Sequence, residues 1–490
     1  MVPGINNFLP AAPCRKLHCL ASVLLVVVLA LGFTTASARG QEYYFTRING
    51  PTTGLAQNAV HVLFQDRQGY IWIGTEGGLN RFDGYTLQRH LHDPDRADSL
   101  PPGLITAVAD AGKGNLWVGT QTGLLLRYDP YHKRVLDKLS GLADDMIGAL
   151  FADGAGNLWI GDQRGIAVLH PGTLTPEPVY RARHPQRSFF ATSVNGFSRC
   201  PDGTLYAASS DGVLVVGTDS AQVVGESGPV NGLLCDRQDK LFAVTDKRLL
   251  HIDRHSGSAE TLWAVAADQP GRIWRVAEDQ DGTLWLAIRG LGLLKADLQS
   301  RRFRLLTPQA DRIDSLPGDA LTRLLIDRSG LVWIGTADLG AAHTLARGSP
   351  VDRLINRNPD IDPATANNVR AIFEDSQGRY WIGTRGAGLM QYDPDSGTFA
   401  DYSAPLRKAL GRSDAQPLAV QAIAAAAAGS LWLGTDHGVL LFDPAHGSAR
   451  RLDLGKPASE RDRYRDILVD SDGSLWLAGL DSGLLHYRGG

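Results

Sequence analysis

Ten aromatic residues recur along this 490-residue chain in one local setting, and that recurrence leaves few folds open. Trp72, Trp117, Trp159, Trp285, Trp333, Trp381, Trp432 and Trp476 occupy it; Tyr206 and Phe242 fill the two gaps in the series. The spacings are 45, 42, 47, 36, 43, 48, 48, 51 and 44 residues. A period near 45 residues marks a propeller or a solenoid rather than several unlike domains. Within each unit three short β-runs follow one another without helical periodicity, and a fourth follows, such as 86–90. The turns between them carry Gly, Asp-Gly or Asp-Pro. Four antiparallel strands in about 45 residues make one propeller blade, so the expected fold is an all-β propeller of ten four-stranded blades.

Fixed positions around the aromatic have physical causes. Glycine stands three residues before it in nine of ten units, where a tight turn requires positive φ. Asp stands six residues before it in seven units: Asp66, Asp153, Asp236, Asp279, Asp327, Asp375 and Asp470. A short carboxylate there accepts turn N–H groups. The Trp itself is expected to pack between neighbouring blades as a structural anchor. Repeats four and five are degenerate, with Tyr206 and Phe242 in place of Trp and a spacing of 36.

Composition agrees with such an array. Glycine numbers 55, in keeping with many turns, and the net charge of −3 gives no electrostatic case for nucleic acid. Arg15 and Lys16 precede an apolar run over 19–33 that ends near Ala36-Ser37-Ala38. This is the layout of a secretory signal peptide over 1–38, cut after Ala38, and the run is short for a membrane span. Localisation is therefore expected to be periplasmic or secreted, the alternative being an uncleaved N-terminal membrane anchor. Cys14 and Cys19 leave with the signal. The remaining pair, Cys200 and Cys235, is too small for a disulfide framework and is expected as two free buried thiols, a single disulfide in an oxidising compartment being the alternative.

The repeated Asp-x-x-Gly-x-[Ile/Leu]-Trp-[Ile/Leu/Val]-Gly-Thr-x-x-Gly-[Leu] resembles the two-component regulator propeller repeat. Near-intact copies lie at 66–79, 327–341 and 375–389, and copies lacking the Asp at 111–124 and 429–439. The resemblance implies the extracytoplasmic sensor of a bacterial membrane receptor. In that family two seven-bladed propellers usually precede an immunoglobulin-like domain, a membrane helix and a histidine kinase or diguanylate cyclase output. Oligosaccharides are ligands in its best-known branch. Here ten repeats replace about fourteen, and residues 1–490 carry no output domain, so the expectation is a truncated or stand-alone sensor.

Ten blades exceed the usual range for one ring. The expected division is repeats 1–7 over 41–358 and repeats 8–10 over 359–490, the latter an incomplete second propeller; one large ring is the alternative. Residues 43–48 read as a lone outer strand, available to complete the last blade, whose third strand ends at 483–487.

Catalytic motifs are scarce. No Gly-x-Ser-x-Gly, His-Glu-x-x-His or Cys-x-x-Cys occurs. Asp279-x-Asp281-Gly282 and Asp470-x-Asp472-Gly473 resemble the start of a calcium loop, but the later ligands are missing, so both read as turns. No catalytic residue, cofactor or metal is expected. Ligand-binding candidates lie four or five residues after the Trp position, in the turn between strands two and three: Glu76, Gln121, Arg289, Asp338, Arg385, Asp436 and His437. The loops 98–101, 314–317 and 367–368 lead towards innermost strands and are candidates too. The function expected is a sensor propeller for a small ligand such as an oligosaccharide. A second copy of the chain or a membrane receptor is the expected protein partner. The alternatives are a propeller glycosidase or lyase, whose Asp-turns look similar, and a protein-binding scaffold.

Overall fold

The computed structural model describes residues 42–488, apart from 140–145, 185–192, 226–227, 311, 350–353, 355, 357–362, 414–415 and 456–462. The signal-peptide expectation lies outside the described residues. The repeats form ten antiparallel sheets, nine of four strands and one of three. The chain divides into two compact units between residues 350 and 351.

The first unit holds seven blades, at 60–90, 105–139, 149–181, 194–224, 232–264, 272–306 and 321–345. Their innermost strands neighbour one another in cyclic order, the seventh returning to the first, so the ring is closed. The second unit holds three blades, at 369–401, 420–451 and 464–487, in an arc.

The N-terminal strand Thr46–Ile48 pairs with the third strand of blade seven, Thr46 opposite His343 and Ile48 opposite Ala341. It does not complete the last blade, whose sheet has three strands. The reason is packing. Among the described residues blade seven has no outer strand of its own after Leu345. Ile48 is buried with Val60 and Trp333 where the seventh blade meets the first, and Tyr43 and Phe45 are buried beside Trp285. Tyr43 meets Trp285 edge to face, with 5.7 Å between ring centroids.

The turn glycines have φ between +75° and +102° in all nine repeats. In the tenth, Asp239 takes the same left-handed conformation at +63°. The repeated Asp does more than cap that turn. In blade seven Asp327 Oδ1 accepts from the N–H of Leu331 at 3.0 Å, and Oδ2 accepts the indole N–H of Trp333 at 2.7 Å. The same indole bond joins Asp66 to Trp72, Asp153 to Trp159, Asp279 to Trp285, Asp375 to Trp381 and Asp470 to Trp476. Most of these rings pack towards the following blade: Trp72 lies with Ile105 and Val118, and Trp333 with Val60 and Ile73. The Gly after the aromatic allows this approach. A Cβ on Gly335 would stand 2.7 Å from Val60 Cγ1 of the next blade.

Cys200 and Cys235 form a disulfide, which corrects the expectation of free thiols. They end the innermost strands of blades four and five, whose buried residues, with Tyr206, form one cluster. The register of adjacent blades brings the two sulfurs together; two isolated sequence positions do not reveal it.

Candidate functional site

A propeller places side chains in its channel from the first residues of each innermost strand. In the seven-bladed unit these residues sit at β-bulges. The ladder to the second strand slips between Val60 and Val62, Ile105 and Ala107, Val194 and Gly196, Ile273 and Arg275, and Leu321 and Arg323. A bulge adds an unpaired residue and re-aims its side chain. Here the extra residues are His61, Thr106, Asn195, Trp274 and Thr322. Each stands eleven residues before the repeat aromatic, a position held by Gly148 and Asn231 in blades three and five.

Six of those seven positions line one cavity of about 30 Å³ in the ring, together with Arg275, Arg289 and Arg323. Arg275 and Arg323 are half-buried. Arg275 Nη1 donates to the carbonyls of Asn231 and Trp274, both at 2.8 Å, and Arg323 Nη1 donates to the carbonyl of Thr322 at 2.8 Å. Burial lowers both guanidinium pKa values, that of Arg323 to about 10, and the charge of Arg323 lowers that of Arg275 further. His61 is pushed down to about 4 by burial first and by the charge of Arg323 second, so its imidazole is neutral near pH 7. No carboxylate is among the cavity's described lining residues. Glu76 borders His61, with its Oε1 4.0 Å from His61 Nε2, and its Oε2 accepts from Gln57 Nε2 at 2.8 Å.

Two of the sequence candidates therefore reach this region. Arg289 lines the cavity and Glu76 borders His61. Gln121 and Asp338 are exposed in the equivalent turns of blades two and seven. Arg385, Asp436 and His437 belong to the second unit, where they form separate contacts. His437 Nε2 lies 2.7 Å from Arg412 Nη1, and Asp436 accepts from Gln421 Nε2 at 2.9 Å. Gln421 in turn accepts from Arg465 Nη1 at 3.1 Å.

Two of the candidate loops serve packing instead. In 98–101 and 314–317 the Leu is buried beside a repeat Trp, Leu100 with Trp72 and Leu316 with Trp285. Ser99 and Ser315 fasten their loops to Asp93 and Gln309. In the third loop Asn367 accepts from the N–H of Asn356 at 2.8 Å. The calcium-like turns are likewise spoken for: Asp279 holds Trp285 and the turn N–H groups, and Asp281 pairs with Arg347 at 2.9 Å.

The channel residues of the bulges were not among the candidates read from sequence. A signal for them exists one residue further on. Ten residues before the aromatic stand Val62, Ala107, Ala149, Gly196 and Gly232 in blades one to five, and Arg275 and Arg323 in blades six and seven. Two long cations at a position otherwise small and apolar mark the channel.

Comparison with known proteins agrees with this architecture. The family model described as two component regulator propeller matches residues 54–77 and 364–386, in repeats one and eight. A curated relative, histidine kinase P4 of Formosa agariphila, is 34% identical over 79 residues, covering 16% of this chain and 6% of that protein. Two solved structures from B. thetaiotaomicron share the fold, both extracellular domains of putative hybrid two component systems. One has a TM-score of 0.53 at 19% identity, covering 91% of this chain and 58% of its own. The other has a TM-score of 0.53 at 20% identity, covering 91% and 65%. The chain thus spans less than two thirds of either. With the fold, the aromatic series and these matches in agreement, this is a β-propeller chain in which the repeats at 54–77 and 364–386 match the two component regulator propeller.

Proposed function

We propose that the chain is the exported, ligand-binding sensor propeller of a bacterial two-component-type receptor, or a stand-alone relative of one. It binds a small ligand, such as an oligosaccharide, at the channel mouth of its seven-bladed unit and does not convert it. The observation that carries this reading is the shared cavity of the closed seven-bladed ring, lined by one bulged residue from each of five blades. Rigid scaffolds that present variable side chains at one mouth are suited to recognition. Glycoside hydrolysis needs two carboxylates flanking the bond, and the described lining of this cavity supplies none. Occupancy would be relayed to a membrane receptor partner or a second copy of the chain. The site of action is the periplasm or the exterior, after removal of residues 1–38.

Thermal-shift screening of the purified mature chain against glycans and metabolites tests the reading. The expected result is a ligand that raises the melting temperature and is recovered unchanged by chromatography. Turnover of that ligand would instead support an enzyme.

A further inference from the structure

Arg275 and Arg323 occupy equivalent positions on adjacent blades and line the same cavity. Their contacts are few. Each uses Nη1 on backbone carbonyls, and Arg275 also lies over the Trp274 ring, 5.5 Å from its centroid. Among the described residues neither pairs with a carboxylate, whereas exposed arginines such as Arg272 and Arg347 do. Two half-buried guanidiniums that line one cavity without a counter-charge repel each other. At the same position blades one to five carry no charged side chain, and Val62 and Ala107 pack in the cores between blades. Thr106, Thr322 and Asn195 add hydroxyl and amide groups on the same wall. Glu76 is the acid that borders this region, and it is engaged by Gln57.

We propose that the channel of the seven-bladed unit is an oxyanion site, in which Arg275 and Arg323 together hold a carboxylate, sulfate or phosphate group. Planar guanidinium groups match such oxygens in pairs, and charge-assisted bonds are the strong ones. Space of about 30 Å³ takes roughly two or three water-sized groups. It therefore admits an oxyanion but not a sugar ring. The group enters either as a free ion or as a substituent of a larger molecule that stays outside the cavity. The inference goes beyond the sensor reading and does not depend on it.

Titration calorimetry on the whole mature chain, at fixed ionic strength in chloride, tests it. The probes are sodium phosphate, sodium sulfate, glucuronate and, as the uncharged counterpart, glucose. We expect saturable binding of at least one oxyanion, one per chain, weakened tenfold or more by Arg275→Gln and by Arg323→Gln. Phosphate or sulfate binding identifies a free ion; binding of glucuronate alone identifies an anionic sugar. Both variants should fold, since each removes one of two opposed charges. Should either fail to, phenylglyoxal labelling of the wild-type chain decides. Peptide mapping then shows Arg275 and Arg323 protected by the bound oxyanion, and the exposed Arg347 not. Absence of saturable binding by all three anions overturns the proposal, as does equal binding of glucose and glucuronate, or binding that both folded variants retain. Turnover of a ligand would reject the sensor reading and leave this site standing.

Discussion

At the scale of residues, an Asp and a Trp six positions apart act as one device. The carboxylate caps a turn with one oxygen and fixes the indole with the other. The turn role was legible in sequence, because Asp and Gly at set offsets have few other uses. The indole bond was not, because it depends on how the turn returns the second strand beside the first. The channel arginines went unread for a different reason: the aromatic series drew attention to what repeats, and they are what departs. Two histidines in the first unit also carry a pH consequence. His61 and His90 are both pushed down to about 4, chiefly by burial, and are neutral in the fold. In the unfolded chain they take up protons near pH 6.5. Stability is therefore full above that pH and falls on acidification to about pH 4, by up to about 1.4 kcal/mol per pH unit for each histidine. Carboxylates held low by hydrogen bonds, such as Asp211 and Asp375, add their loss only below their ordinary range near 3.8. Urea unfolding between pH 4 and 7 checks this, and His90→Asn should flatten the slope by one proton.

At the scale of elements, alternation and turn chemistry made the strands legible, and the W-centred unit set their order. The destination of the N-terminal strand was not. Among the described residues only the third strands of blades seven and ten have no outer strand from their own repeat, and the fit of Ile48 against Trp333 and Val60 goes with blade seven. The disulfide reinforces the part of the ring where the repeat is weakest. Blades four and five carry Tyr206 and Phe242, and neither has an indole to give an Asp. Cys200 and Cys235, 35 residues apart, tie these two blades together. Reduction should cost the first unit about 3–4 kcal/mol. The Cys200→Ala/Cys235→Ala variant should match the reduced protein in calorimetry and show no further response to reductant.

At the scale of the molecule, the blade count was legible and the partition rested on an element whose partner the sequence does not name. Two compact units imply two unfolding steps. Trp333→Ala, which empties the seam between blades seven and one, should destabilise the first unit by about 3–5 kcal/mol. Trp381→Ala should lower the other transition by a similar amount, since its ring is fully buried with Val420 and Phe442. Differential scanning calorimetry should show each variant moving one endotherm and leaving the other in place; a single shared shift would mean that the units unfold as one.

The pairing of Thr46–Ile48 with blade seven has a bearing on how the molecule comes into being. The first described strand finds its partner about 300 residues later. A growing chain can build blade after blade from local contacts, yet no ring exists until the seventh arrives and the opening segment is recaptured. Until then both ends of the arc expose the apolar faces that meet at the seam, and residues 46–48 must stay available. The last event in making the ring is thus the placement of its earliest residues.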